Sequence, residues 1–308
     1  MRIFIELPSW LGDAVMTTPA IENLTNFFDD SELILIGSAI AIETLKSHPK
    51  VVKTYVLDKS YYNLYKTIKI VGDLDLFISF RGSVRSKFLK FCISAKKKYQ
   101  FDKNTFINGH QVEKYNNFIN TVININASPG KLLLHSRKKN KVVKHKILGI
   151  NPGASYGAAK RWYPKEFANV AFNLSSLYDI IIFGGPNEKD MALDIEKYLI
   201  EKGVTNYQNL AAQTSIKELI SQIANLDLLI TGDSGPMHLA AAYQIPTVAI
   251  FGPTNDKETS QWMNEKSIIV KKSLDCQPCM KRACPLKHHK CMKLLESSDV
   301  LGAVKTFN

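Results

Sequence analysis

Short apolar runs alternate with amphipathic stretches along almost the whole chain. Residues 2–7, 32–36, 53–57 and 74–79 are strand-sized blocks dominated by Ile, Leu, Val and Phe. Between them lie a tight loop over 8–12, helical spacing over 13–28, a second helix near 39–47 and a Tyr-rich helical stretch before the fourth strand. A basic stretch over 137–146 interrupts the pattern, which then restarts with strands at 146–150, 179–183, 226–231 and 247–251. Helices are predicted over 164–177, 190–202, 216–224 and 236–243. Strands alternating with helices in this way imply parallel pairing through right-handed crossovers. Two such series predict an α/β chain of two doubly wound, Rossmann-like domains, with ligands bound in a cleft at the strand C-termini. The basic stretch places the boundary between an acceptor-binding domain, 1–142, and a nucleotide-binding domain, 143–308, whose last helix is free to pack back on the first. A length of 308 residues suits two cores better than one.

Composition narrows the setting. The chain is 45% hydrophobic and 22% charged, as in ordinary globular proteins. No apolar run approaches the ~20 residues that cross a bilayer. The N-terminal residues, with one positive charge, read as a first strand rather than a signal peptide, so the expectation is a cytoplasmic protein. Lys and Arg number 40 against 28 acidic residues, a formal charge of +12. That excess favours anionic partners, such as phosphorylated small molecules or the inner face of an acidic membrane, although a solvated lysine surface accounts for many of these residues. The run at Lys96, Lys97 and Lys98 is a candidate for contact with a membrane or a phosphorylated acceptor, and 137–146 for an exposed linker. No aromatic RNA-binding signature accompanies the charge, so nucleic acid is not expected as a partner.

Three loops carry candidate chemistry. At GDSGPMH, Gly232 to His238, a buried strand runs through a short turn into a helix with Pro236 in its first turn, where a missing N–H costs nothing. Such a helix start offers N–H groups and the positive end of a dipole to an anion such as a diphosphate. Asp233 can bond a ribose hydroxyl or orient the loop; alternatively Asp233 and Ser234 simply cap the helix. The resemblance of GDSGP to the nucleophile loop of secreted, all-β serine proteases is accidental in a strand–turn–helix setting. The second loop, NPGASYGAAKRW from Asn151 to Trp162, follows one strand and precedes a helix. Its small residues let backbone approach an anion, on which Lys160 or Arg161 can place a full charge; a mobile glycine loop with a solvated lysine is the alternative. The spacing is neither a Walker loop nor a dinucleotide fingerprint. At the third, LPSWLGD from Leu7 to Asp13, the first strand ends and a helix begins. Asp13 there can accept a proton from an attacking hydroxyl, or cap the helix, or both.

Two further clusters leave alternatives open. Cys276, Cys279, Cys284 and Cys291, with His288 and His289 between them, are compatible with structural zinc, a disulfide or free thiols, while Cys92 reads as core. Asp73 and Asp75 have the Asp-x-Asp spacing of some metal-dependent sugar transferases, but they precede an apolar strand as ordinary turn residues do.

Taken together, residues 7–19, 152–164, 232–242 and the closing FGPT over 251–254 resemble the family-9 glycosyltransferases, the ADP-heptose:lipopolysaccharide heptosyltransferases. The likeness covers nearly the whole chain, and the GAxxGxAKRW wording is similar to the branch that adds the second heptose. The resemblance implies an inverting enzyme of GT-B arrangement that moves heptose from ADP-heptose to a lipid-linked lipopolysaccharide core acceptor, with no metal or other cofactor needed for chemistry. It implies Asp13 as general base and Lys160 as the diphosphate lysine. Ser155, Tyr156, Glu188, Asp233, Ser234, Gly235, Pro236, Met237, His238 and Thr254 fall at donor positions, and Arg81 and Ser83 where acceptor contacts are expected. Departures exist: Asn255 precedes Asp256 where an Asp often follows the Gly-Pro-Thr segment, and the cysteine cluster belongs to only some members. A related transferase with another nucleotide sugar or core acceptor, or a non-catalytic nucleotide-binding protein, would share these features.

Overall fold

In a computed structural model of the chain, residues 1–57, 60–136 and 145–307 are described. The expected linker and the 142/143 boundary fall largely outside those residues. The chain divides into two units, Met1–Ser136 and Arg137–Asn308.

In the first unit, β1 (Arg2–Glu6), β2 (Glu32–Gly37), β3 (Val51–Val56), β4 (Leu74–Ser79) and β5 (Ala95–Gln100) form a parallel sheet in the order β3-β2-β1-β4-β5. Because successive side chains point to opposite faces, Phe4, Ile34, Ile36 and Phe77 share one face. They pack there with α4 (Tyr61–Val71) and α5 (Val84–Cys92), through Leu64, Ile68, Val71 and Leu89. Cys92 lies at the edge of that cluster. The sheet is completed by α1 (Leu11–Met16), α2 (Thr18–Phe27), α3 (Ala39–Leu45) and α6 (Gln111–Ile123), which pack on one another.

The predicted single helix over 13–28 is in fact two. Pro19 has no N–H to continue a hydrogen-bonded ladder, and the hydroxyls of Thr17 and Thr18 take up the carbonyls of Ala14 and Val15 at 2.7 and 2.8 Å. Lys96 to Lys98 lie in edge strand β5, and Lys96 pairs with Asp75 at 2.7 Å. Lysine on an edge strand discourages pairing with another chain. Asp75 also accepts the Arg2 backbone N–H at 2.9 Å, so its carboxylate serves the fold.

In the second unit, β6 (Lys146–Asn151), β7 (Tyr178–Ile182), β8 (Tyr207–Asn209), β9 (Leu228–Gly232), β10 (Thr247–Ile250) and β11 (Ser267–Val270) form a parallel sheet ordered β11-β10-β9-β6-β7-β8. Its main core gathers Leu148, Ile150, Ile182, Ile230 and Ile250 against α7 (Pro164–Leu174), α8 (Lys189–Glu201) and α13 (Ser297–Lys305). Trp162 is buried in that core and donates its indole N–H to the Leu295 carbonyl at 3.0 Å. The last helix packs on α7, β10 and β11 of its own unit. Between these elements run α9 (Ile216–Ile223), α10 (Gly235–Ala242), α11 (Asp256–Thr259) and α12 (Lys290–Lys293). No helix among the described residues is long and apolar enough to cross a membrane.

Each sheet reverses its winding once. The first unit builds β1, β2 and β3 outward and returns to place β4 beside β1; the second builds β6, β7 and β8 and returns to place β9 beside β6. At such a switch point the two loops leave in opposite directions and open a crevice beyond the strand ends. Glu6, at the end of β1, sits beside the first switch point and is 1% exposed. Its carboxylate accepts hydroxyls from Ser79 at 2.5 Å and Ser86 at 2.9 Å, with an Arg81 Nη1 at 3.7 Å. Burial nevertheless pushes its pKa above the ordinary value, outweighing those hydroxyls and the nearby arginines. The folded state therefore holds the Glu6 proton more tightly than the unfolded chain, and ionisation costs stability as pH rises through the carboxylate range. Thermal melting of wild type and Glu6→Gln from pH 4 to 7 should show the Gln variant gaining on wild type as pH increases. A stability gap independent of pH contradicts this.

Candidate donor and acceptor sites

At the second switch point, β9 is buried throughout and delivers the chain directly to α10. Ser234 is the N-cap residue, but its side chain makes no cap bond. Its hydroxyl instead accepts from Asn151 Nδ2 at 2.9 Å, which joins the ends of β6 and β9. Asp233 does not act as a simple cap either. Its carboxylate accepts from Lys160 Nζ at 2.5 Å and from Thr254 Oγ1 at 2.6 Å. One buried carboxylate thus ties together the loops after β6, β9 and β10. Gly235, Pro236 and Met237 form the first turn of α10, with Met237 and His238 buried.

The loop after β6 is shaped by its neighbours. A side chain at Gly153 would run into the Glu188 carboxylate, and one at Gly157 into the backbone of Arg282. Glycine is needed at both positions for close approach, not for an unusual φ. Glu188, itself buried, accepts from the Gly185 N–H at 2.5 Å and the Ser155 hydroxyl at 3.3 Å. Tyr156 lies under two cations, with Lys160 at 4.9 Å and Arg282 at 5.3 Å from its ring. Lys160 is therefore not a solvated lysine on a mobile loop: its side chain is 12% exposed, paired and stacked. An anion beyond the strand ends would meet the α10 first turn, Lys160 and Arg282. Arg282 escaped the sequence reading because it belongs to the cysteine-rich segment, far from the glycine loop in sequence.

In the first unit, Asp13 is not the helix cap. Trp10 is the N-cap, and Asp13 falls in the first turn of α1, half-buried. The negative charge of Asp13 reaches the buried Tyr115 of α6, whose hydroxyl pKa is raised first by burial and then by Asp13. Tyr115 had no sequence signal beyond helical spacing. Arg81 follows β4 across the switch point, with its guanidinium near Glu6. Ser83 caps α5, its hydroxyl accepting from the Ser86 N–H at 3.1 Å. That hydroxyl is largely committed to the fold.

Other candidate groups lie apart from these loops. A groove of about 630 Å³ runs along α8 and edge strand β8, lined by Lys189, Glu196 and Tyr207 among others, away from the switch point. Glu22, His48 and His135 bring three possible ligand atoms within 4.8 Å of one another. His48 Nδ1 accepts the Lys50 N–H at 3.1 Å, however, which leaves the proton on Nε2, facing Glu22. This tautomer opposes a metal ligand at His48 Nε2, while His135 Nε2 lies 2.8 Å from the same Glu22 carboxylate. All five cysteines are free.

The profile of Glycosyltransferase family 9 (heptosyltransferase) matches residues 63–290. The chain is 43% identical over 313 aligned positions to the lipooligosaccharide heptosyltransferase 2 of Campylobacter jejuni serotype O:2, an alignment covering 99% of this chain and 98% of that one. It is 25% identical, over 99% of its length and 98% of the relative's, to the lipopolysaccharide heptosyltransferase 1 of Campylobacter coli. Its fold is similar to that of E. coli ADP-heptose lps heptosyltransferase II, with a TM-score of 0.83, 19% identity and 99% and 98% of the two chains covered. The two doubly wound units, the loops at their switch points and these likenesses agree: the chain belongs to glycosyltransferase family 9, the heptosyltransferases.

Proposed function

We propose that this glycosyltransferase is a heptosyltransferase II, which moves L-glycero-D-manno-heptose from ADP-heptose to the first heptose of the lipopolysaccharide inner core. The observation that carries the reading is the contrast between relatives: 43% identity to a heptosyltransferase 2 against 25% to a heptosyltransferase 1, each across nearly the whole chain. An acceptor heptose hydroxyl attacks the anomeric carbon of the donor, and Asp13 takes the hydroxyl proton as the new C–O bond forms. The anomeric bond to the diphosphate breaks, and ADP leaves carrying the electron pair. One displacement inverts the anomeric centre. Charge growing on the departing phosphate is met by Lys160 and the first turn of α10, groups that need no reorganisation at that moment. Thr254 and Asp233 hold Lys160 in place, Glu188 and Tyr156 shape the nucleotide side, and Arg81 contacts the acceptor. No step in this scheme draws on a metal or another cofactor.

Incubation with ADP-heptose and a core ending in the first heptose should yield a product one heptose heavier by mass spectrometry. Transfer from another nucleotide sugar in preference would refute the donor assignment. General-base catalysis contributes about 10²–10⁴-fold, so Asp13→Ala should lose at least that factor in turnover while still binding ADP. Turnover near wild type removes Asp13 from its role.

The same reading places the enzyme in the cytoplasm, peripherally on the inner membrane that presents its lipid-linked acceptor. Exposed aromatic residues on α4 and α5, Tyr62 at 65% and Phe91 at 84% exposure among them, stand beside Lys66, Lys69, Lys87 and Lys90. Amphipathic rings with cations suit an anionic headgroup layer. Binding to vesicles containing anionic lipid should weaken steeply as salt rises, and binding insensitive to salt contradicts an electrostatic contact.

A further inference from the structure

We infer that Cys276, Cys279, Cys284 and Cys291 form a four-thiolate site for a thiophilic divalent metal ion such as zinc, and that this site holds the donor loop in place. The four cysteines line one small cavity of about 20 Å³ together with His288 and His289, a volume suited to a single ion and too small for a sugar. Four sulfurs lining one cavity offer a divalent cation the thiolate ligands that it binds with release of their protons. The backbone N–H of His289 points at Cys284 Sγ at 3.4 Å, a donor that would stabilise a bound thiolate. Four thiolates and a divalent ion carry a net double negative charge. Lys281, Arg282, Lys287, Lys290 and Lys293 lie within the same stretch, where no acidic residue intervenes.

The segment needs such a fastening. Residues 271–289 contain neither helix nor strand, and structureless loops beyond about 12–15 residues are uncommon in compact domains. Leu274 packs on the main core at the segment's start, but Met280 and Leu286 further along are exposed. Met280, Lys287 and His289 are non-glycine residues at positive φ, a conformation that persists only where the surroundings enforce it. Among the described residues, the three ligand atoms found within 4.8 Å of one another belong to Glu22, His48 and His135 rather than to the cysteines. Binding therefore requires the sulfurs to draw together, which a loop without regular structure can accommodate. Soft thiolates favour zinc over harder cations.

The fastening would act on the donor loop directly. The Arg282 carbonyl accepts the Ala159 N–H at 3.0 Å, the Met280 carbonyl accepts the Tyr156 hydroxyl at 2.8 Å, and His289 Nε2 lies 2.9 Å from the Ala159 carbonyl oxygen. The Met280 N–H and the Gln277 side chain hold the loop after β10, at Pro253 O and Gly252 O. Both loops carry groups that fix Asp233 and Lys160. The role in donor binding rests on the heptosyltransferase reading above; the metal site does not.

The full-length protein, produced with zinc and desalted, should carry about one zinc per chain by elemental analysis. Cobalt exchanged into it should give sulfur-to-cobalt charge-transfer bands and the intense visible bands of a tetrahedral site. Cys279→Ser should lose those bands, while Cys92→Ser and His135→Ala keep them. If Cys279→Ser does not fold, the wild-type cobalt spectrum and thiol reactivity before and after chelation decide the matter: four thiols beyond Cys92 should become reactive when metal is removed. Chelation should also weaken ADP binding. A protein without bound metal, a disulfide between Cys276 and Cys279, or cobalt bound without sulfur bands and lost in His135→Ala would overturn the site. Retained ADP affinity after chelation would overturn only its link to the donor loop.

Discussion

The pair formed by Asp233 and Lys160 is the contact on which the arrangement of the loops after β6, β9 and β10 depends. Both side chains are nearly withdrawn from water, and Thr254 supplies a second donor to the same carboxylate. Removing one partner of a buried pair costs about 3–5 kcal/mol, because the other charge is left uncompensated. That expense is not needed for folding alone, since a well-packed apolar pair would do as well. It becomes intelligible if the lysine is held ready for a second anion. A diphosphate arriving at the start of α10 would share or take over Lys160 from Asp233, and Thr254 would still satisfy part of the carboxylate.

Topology supplies the place for this contact. Ser234, Lys160 and Thr254 lie far apart along the chain, yet parallel strands β6, β9 and β10 are neighbours and end on the same side of the sheet. Loops leaving adjacent strand ends are brought together by the sheet itself, and hydrogen bonds such as Asn151 to Ser234 then fix their distances. The first unit repeats the device around Glu6, where β1 and β4 end side by side and Arg81 follows. In each unit the candidate residues sit where the winding reverses.

The central strands were legible in the sequence because burial on both faces makes them continuous apolar runs. Of the edge strands only β3 was: β5 reads as a lysine run, and β8 and β11 are three or four residues long. Helix α6 begins at a capping box whose cap is His110, a residue that gives no start signal. At the candidate site, glycines, Lys160, Asp233 and the helix start were readable because they stand in short stretches between a strand end and a helix start. The partners of those residues were not, since pairing of Lys160 with Asp233, of Ser155 with Glu188 and of Tyr156 with Arg282 joins segments distant in sequence. The helix start beside Asp13 was legible, but its cap was not, because Trp10 carries no side-chain capping group.

The central claim is that Lys160 leaves or shares its partner to bind the diphosphate of the donor. Calorimetric titration with ADP of wild type and Lys160→Met, with melting curves to confirm that both are folded, tests it most directly. A charge-assisted hydrogen bond contributes about 1.5–3 kcal/mol, so the variant should bind ADP roughly 10- to 150-fold more weakly. Equal affinity in the two proteins would contradict the account.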